Sequence, residues 1–218
     1  MIFSAPIKAV LALAASASLT SAISVSVTPH EQYSSSVGVL GCKINTNRVA
    51  YWPMAVDCNN ICVKVSYSGR SVYLLRIDQS GGAYDISYDA WNYLKTGQSA
   101  TANPTAGGGI QMDYQNVAAE NCASLIHSSS GGLPLSASNS MNYVASCISQ
   151  SNSWVGKHHE LINILNPTCT WGYDEVCSLN LAVSNQPTCP HQLGVPAVLK
   201  DRPVINIQYP TGKQVVAP

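Results

Sequence analysis

Charged residues are scarce in this sequence. Only 10% of the 218 residues are Asp, Glu, Lys or Arg, and 11 acidic and 11 basic residues give a formal net charge of zero. Nucleic acids and anionic membranes are bound through clustered positive charge, and the sequence contains no such run. We therefore expect neither as a partner. Because 46% of the residues are hydrophobic, disorder is excluded for most of the chain, and we expect a monomer of one or two small domains.

Long apolar runs are also absent, since none approaches the ~20 residues that span a bilayer. A short apolar run at residues 9–15 follows Lys8 and precedes the small residues 20–22. This order of a basic residue, an apolar run and small residues is typical of a secretory signal peptide. We predict that residues 1–22 are removed and that the mature protein is secreted to the extracellular space.

Asn-x-Ser/Thr sites are missing too, so N-glycans are not expected. Cysteine is plentiful, and an even number in an exported chain predicts disulfides. The eight are Cys42, Cys58, Cys62, Cys122, Cys147, Cys169, Cys177 and Cys189. Cys58 and Cys62, taken with His158 and His159, come nearest to a metal-ligand spacing, but no second closely spaced pair supports it. We expect no metal and no cofactor.

The first half of the mature chain carries turn and strand signals. Residues 23–36 are polar and Ser-rich, which predicts a loose lead-in strand or a linker before a domain over residues 37–122. Within that domain, residues 62–67 alternate between apolar and polar side chains, Ser68 and Gly69 are turn residues, and residues 71–77 are again strand-like. This pattern predicts a β-hairpin.

The same domain predicts two further elements. Residues 87–94 fit a short helix capped by Ser87, and residues 110–117 alternate as a strand. The flexible segment 97–109 lies between them.

Residues 123–218 predict a cysteine-rich extension of mixed helix and loop, packed on the first domain. Residues 136–148 have helical spacing, whereas the apolar run 161–165 fits either a helix or a strand. Residues 167–196 are rich in Pro, Cys and Asn and predict a disulfide-tied loop. Residues 204–209 are a final strand candidate.

Residues 37–122 resemble a known family. The order is the hairpin turning at Gly69, a strand ending in Asp78, the Tyr84-Asp85-Ile86-Ser87 element before a Trp-bearing helix, and a Gly-Ile-x-x-x-Tyr-x-x-Val strand. It resembles the double-psi β-barrel shared by expansins, barwin-like proteins and related small endoglucanases. The resemblance implies a mainly β fold with a closed six-stranded barrel and a short helix. It does not cover the disulfide-rich extension over residues 123–218.

The cysteines fall into two groups around this barrel. Four precede residue 123 and four follow residue 146. We therefore predict that most bridges close within one half, and that Cys122 ties the last barrel strand to an earlier one.

The resemblance also implies a site. It places Asp78 and Asp85 near one groove, and Asp85 matches the general acid of the related hydrolases, which expansins keep. Turn formation is the other interpretation of each residue, and for Asp78 the stronger one. Hydrolysis requires a second carboxylate, which those enzymes carry in a Tyr-Trp-Asp-Cys element. Here Pro53 stands in its place, and the next candidate, Asp57, is five residues beyond Trp52.

Other catalytic motifs are absent from the sequence: it has no Gly-x-Ser-x-Gly elbow, and the His residues outside the barrel are assigned no chemistry. Aromatic side chains stack on sugar rings, and Trp52 beside Tyr51 is the best groove candidate, whereas Trp91 is expected in the core. We thus predict substrate contacts from Tyr51, Trp52, Asp57 and Asp78.

Two functional hypotheses remain open. The first is a secreted, non-catalytic expansin- or barwin-like module that binds cell-wall polysaccharide or a host extracellular component, with a role as a fungal effector implied by the resemblance. The second is a polysaccharide-cleaving enzyme that uses Asp85 as its acid and Asp57 or Asp78 as its partner. Two carboxyl groups facing one open groove favour cleavage, and carboxylates bonded to backbone amides in turns favour binding.

Overall fold

A computed structural model describes residues 22–218, so the predicted signal peptide lies, except for Ala22, outside the described residues. The barrel strands are β1 Ile23–His30, β2 Val49–Trp52, β3 Cys62–Tyr67, β4 Arg70–Gln79, β5 Tyr84–Ser87 and β6 Ile110–Val117. They close in the order β1-β5-β2-β4-β3-β6, with β6 paired to β1. The mainly β fold and the closed six-stranded barrel are confirmed.

The hairpin between β3 and β4 is also confirmed. The strands pair antiparallel up to Tyr67 and Arg70, and the two turn residues, Ser68 and Gly69, have φ values of 49° and 76°. Positive φ at both positions matches the right-handed twist of the strands. Glycine adopts this conformation without a steric cost.

The predicted helix is present as α1, Tyr88–Thr96, but the predicted cap is wrong. Ser87 occupies the N-cap position without a side-chain bond to the helix. Its hydroxyl instead accepts a hydrogen bond from the backbone amide of Val49, at 3.4 Å, so the side chain joins β5 to β2.

Residues 23–36, predicted to be a loose lead-in strand or a linker outside the barrel, contain one of the barrel's own strands. The first eight of these residues are β1, which pairs parallel with β5 and antiparallel with β6. Apolar Val25 and Val27 alternate with serines along it. The barrel therefore begins at Ile23 and not at residue 37, because β1 supplies the strand that closes it.

Two apolar cores lie on opposite faces of the barrel wall. The interior core receives side chains from all six strands: Val27, Ala50, Val63, Leu74, Ile86 and Met112. The second core joins the outer face of the barrel, at Tyr51, Leu75 and Ile77, to Leu133 and Leu161 of the extension. Neighbouring residues such as Leu74 and Leu75 enter different cores because successive side chains of a strand point to opposite faces.

The extension contains more β-structure than predicted. Its elements are β7 Leu133–Ser136, α2 Met141–Ile148, α3 Trp154–Lys157, β8 His159–Ile164, β9 Gly172–Val176, β10 Ile205–Ile207 and β11 Gln214–Val216. Strands β7, β8 and β9 form a sheet in that order, and β10 and β11 form a hairpin. The predicted mixture of helix and loop is thus only partly confirmed. The central strand β8 is almost fully buried, and such a strand lacks the alternation that distinguishes it from a helix.

All eight cysteines are paired, as Cys42–Cys169, Cys58–Cys147, Cys62–Cys122 and Cys177–Cys189. The predicted tie from Cys122 to an earlier strand is confirmed, since Cys62 begins β3. The prediction that most bridges close within one half is wrong, because two of the four cross between the halves. They cross because the extension packs directly on the barrel wall.

None of the helices between residues 22 and 218 combines the length and apolarity of a membrane span.

Candidate functional site

A row of polar side chains crosses the outer face of the barrel. In the strand register, Thr28 of β1 pairs with Asp85 of β5, Asp85 pairs with Tyr51 of β2, and Tyr51 pairs with Asp78 of β4. Paired residues of neighbouring strands project to the same face. We call Thr28, Asp85, Tyr51 and Asp78 the polar row. Three of its four members are predicted site residues, which the fold therefore brings together.

Asp78 forms the buried end of the polar row. Its carboxylate accepts hydrogen bonds from the backbone amides of Ser36 and Gln79, at 2.7 and 2.8 Å, and from the hydroxyl of Ser34. Only 8% of the residue is exposed. The side chain thus holds the segment after β1 against the end of β4, as turn formation predicts.

Asp85 lies at the solvent-facing end of the polar row and is partly exposed. Within residues 22–218, the hydroxyl of Thr28 is the one donor that hydrogen-bonds its carboxylate. Asp85 therefore keeps acceptor positions open towards solvent, unlike the buried Asp78.

Tyr51 connects the two carboxylates but has little surface of its own. It is 3% exposed, and its ring lies 4.4 Å from that of His30. Burial raises the pKa of the Tyr51 phenol far above its ordinary value, and the charges of Asp78 and Asp85 raise it further. The phenol is therefore a neutral group in the barrel wall, and we do not retain it as a direct ligand contact.

Trp52, predicted to stack on a sugar, points into the barrel. It is 1% exposed and packs against the rings of Tyr84 and Tyr114, with centroids 5.4 and 4.4 Å away. As the residue after Tyr51, it faces the opposite side of β2. Its ring faces are thus closed to a polysaccharide, and we remove it from the candidate site.

Asp57 is held elsewhere, in the loop after β2. Its carboxylate accepts hydrogen bonds from the backbone amides of Asn59 and Asn60, both at 2.6 Å. Partial burial opposes ionisation, but these amides and the charge of Arg76 outweigh it, so the pKa of Asp57 is below its ordinary value. Its backbone carbonyl bonds Tyr143 of α2. Asp57 therefore lies in a turn against the extension and is not a member of the polar row.

The exposed end of the polar row is a surface and not a pocket. The recess beside His30 and Tyr51 is closed by Ile205, Asn206 and Ile207 of β10 and has a volume of about 10 Å³. That is close to the space one water needs and far below that of a sugar ring. The side chains that this end of the barrel presents on its outer face are those of Thr28, His30 and Asp85, each partly exposed.

Thr28 and His30 were not among the predicted site residues, because the segment 23–36 was interpreted as a lead-in. The alternating pattern of β1 is the signal that places them: Ser26, Thr28 and His30 share the face opposite to Val25 and Val27. Within residues 22–218, no three His, Cys, Asp or Glu side chains are grouped closely enough to hold a metal ion.

Residues 24–125 match the family model described as Cerato-platanin. This stretch is just under half of the chain and contains nearly the whole barrel. A comparison with curated proteins found no match. The four disulfides and the family match together indicate a secreted, expansin-like module. The barrel part of this chain is thus similar to cerato-platanin, a double-psi β-barrel family related to the expansins, as the order of its motifs predicts.

Proposed function

We propose that the protein is a secreted, non-catalytic module that binds uncharged cell-wall polysaccharide on the outer face of its barrel. The contact surface consists of Thr28, His30 and Asp85. A hydroxyl, an imidazole and a carboxylate together donate and accept hydrogen bonds, which suits the hydroxyl groups of a sugar. The likeness to expansins supports this ligand class, and the low net charge agrees with an uncharged ligand.

One observation carries the non-catalytic part of the proposal. Glycosidases need an acid and a second carboxylate on opposite sides of the scissile bond. Of the three candidate carboxylates, Asp78 is buried and Asp57 lies in a turn outside the polar row, and each accepts hydrogen bonds from two backbone amides. Asp85 accepts one hydrogen bond, from a hydroxyl. Pro53 has no side-chain group that can replace the missing base.

Co-sedimentation with insoluble cellulose, chitin and β-1,3-glucan tests the proposal. We expect the secreted protein to bind at least one of them, and Asp85→Asn to weaken that binding by about two- to tenfold, the range of one hydrogen bond. Asp113→Asn is the matched control, because Asp113 is an exposed carboxylate of β6 outside the contact surface. Failure to bind any of the three polysaccharides would contradict the proposal.

A further inference from the structure

The extension presents an aromatic side chain that packs in neither core. Trp52 and Trp91 lie in the interior core, and Trp154 packs against the second. Trp171, directly before β9, is 43% exposed. An exposed aromatic ring leaves a large apolar surface in water, and such surfaces mark interaction sites when the scaffold holds them in place.

The backbone of Trp171 is held on both sides. Its amide donates to the side chain of Asn166 at 3.2 Å, and its carbonyl accepts from the amide of Leu165 at 2.9 Å. The amide of the next residue, Gly172, donates to Ala197 at 2.7 Å. Two residues earlier, Cys169 is bonded to Cys42 of the barrel half. The ring is thus carried by a fixed backbone, which reduces the entropy lost when a ligand covers it.

A second flat ring is two residues further along the chain. Tyr173 of β9 stacks on His191, with centroids 4.0 Å apart and planes inclined by 6°. The imidazole Nδ1 and the backbone amide of His191 both bond the carboxylate of Glu175, at 2.6 and 2.7 Å, and Asn163 donates to the same carboxylate at 2.8 Å. His191 is fixed in orientation although its side chain is 58% exposed.

The acidic residues of this strand are engaged. Asp174 pairs with Lys43 at 2.7 Å, and Glu175 accepts the three hydrogen bonds just described. Both acidic side chains of β9 are therefore engaged, and the backbone of Trp171 pairs with that of Val198, which is 58% exposed. Flat rings beside an exposed aliphatic side chain suit the apolar faces of sugar rings.

We propose that Trp171, together with the Tyr173–His191 stack, forms a second contact site for uncharged polysaccharide on the extension. This site lies outside residues 24–125, the part of the chain that matches the family model. The proposal of this second site rests on the proposed polysaccharide binding. Because Trp52 is buried and cannot stack on a sugar ring, the second site gives this role to Trp171 of the extension.

The test compares the full secreted protein with Trp171→Ala and Tyr73→Ala on the three insoluble polysaccharides named above. Tyr73 is the matched control, because it is an exposed aromatic residue of the barrel strand β4. We expect Trp171→Ala to weaken binding about tenfold and Tyr73→Ala to leave it within about twofold. Near-UV circular dichroism establishes that both variants are folded.

A fluorescence measurement gives an independent readout. A soluble oligosaccharide of the bound polysaccharide should shift the tryptophan emission of the unaltered protein, because the ligand covers Trp171. In Trp171→Phe, which keeps a flat ring, the shift should disappear while binding largely remains. Equal binding by the unaltered protein and Trp171→Ala would overturn this site but leave the barrel site standing. Absence of binding by the unaltered protein would overturn both.

Discussion

At the scale of single residues, Trp52 and Trp171 differ in what surrounds their rings. Trp52 fills the barrel interior between Tyr84 and Tyr114, and Trp171 lies on a surface. Truncating a buried Trp removes its apolar contacts and leaves a cavity. We expect Trp52→Ala to lower the free energy of unfolding by about 3–5 kcal/mol and Trp171→Ala by about 1 kcal/mol or less. Urea unfolding measures both, and equal losses would contradict the assignment.

Glu160 makes the free energy of unfolding depend on pH in the acidic range. Its carboxylate accepts hydrogen bonds from the amides of Ser129 and Ser130, at 3.2 and 2.7 Å, and from the Ser129 hydroxyl at 2.6 Å. Burial opposes ionisation, but these bonds outweigh it, so the pKa of Glu160 in the folded protein lies below its ordinary value of 4.5.

A carboxylate whose pKa is lowered by folding stabilises the folded protein when it is ionised. The contribution of Glu160 is fully present above the unfolded pKa, near 4.5, and is lost as the pH falls through the lower folded value. Glu160→Gln should therefore be less stable than the unaltered protein at pH 7 and differ less from it at pH 3. Urea unfolding across this range checks the prediction, and a stability difference that does not depend on pH would refute it.

At the scale of elements, β1 decides whether the barrel closes. A proline in the middle of a strand removes a backbone donor and breaks the ladder. We expect Val25→Pro, opposite Met112 of β6, to lower the melting temperature strongly. Gln32→Pro, in the exposed bend just after the strand, is the control and should have little effect. A linker would tolerate both changes equally, and that result would argue against the barrel role of β1.

The hairpin and β1 show what the sequence could predict. The β3–β4 hairpin is local, since Ser68 and Gly69 join two alternating runs directly, and it was predicted correctly. The partners of β1 are more than 50 residues away along the chain. Its alternation of Ile, Ser, Val and Thr is visible in the sequence, but the serines on the outer face made the segment resemble a linker. The Ser-rich composition of the segment thus outweighed its two-residue alternation in the prediction.

The site was predictable to the same extent. Asp78 and Asp85 follow from the resemblance to the expansin-like barrel, and Tyr51 follows from its place beside Trp52. Thr28 and His30 were missed with β1. Trp52 was misplaced because sequence proximity to Tyr51 suggests a shared surface, whereas neighbours on a strand face opposite sides.

At the scale of the whole molecule, two bridges hold the extension on the barrel. Cys42–Cys169 and Cys58–Cys147 link the halves, whereas Cys177–Cys189 closes a short loop within the extension. Replacing both Cys42 and Cys169 with Ser should cost roughly 2–4 kcal/mol and make the extension more sensitive to proteases. The Cys177/Cys189 double Ser variant is the control and should leave the joint between barrel and extension protected. Equal protease sensitivity of the extension in both variants would contradict this division.

The central claim is that the protein binds polysaccharide without cleaving it, because Pro53 stands in the place of the base and the candidate partners Asp57 and Asp78 are bonded to backbone amides. The most direct test is the release of reducing ends from the polysaccharide that the protein binds, followed over a long incubation. We predict no release above the protein-free control, for the unaltered protein and for Asp85→Asn alike. Release by the unaltered protein that disappears in Asp85→Asn would show that Asp85 acts as a general acid, and would contradict the account.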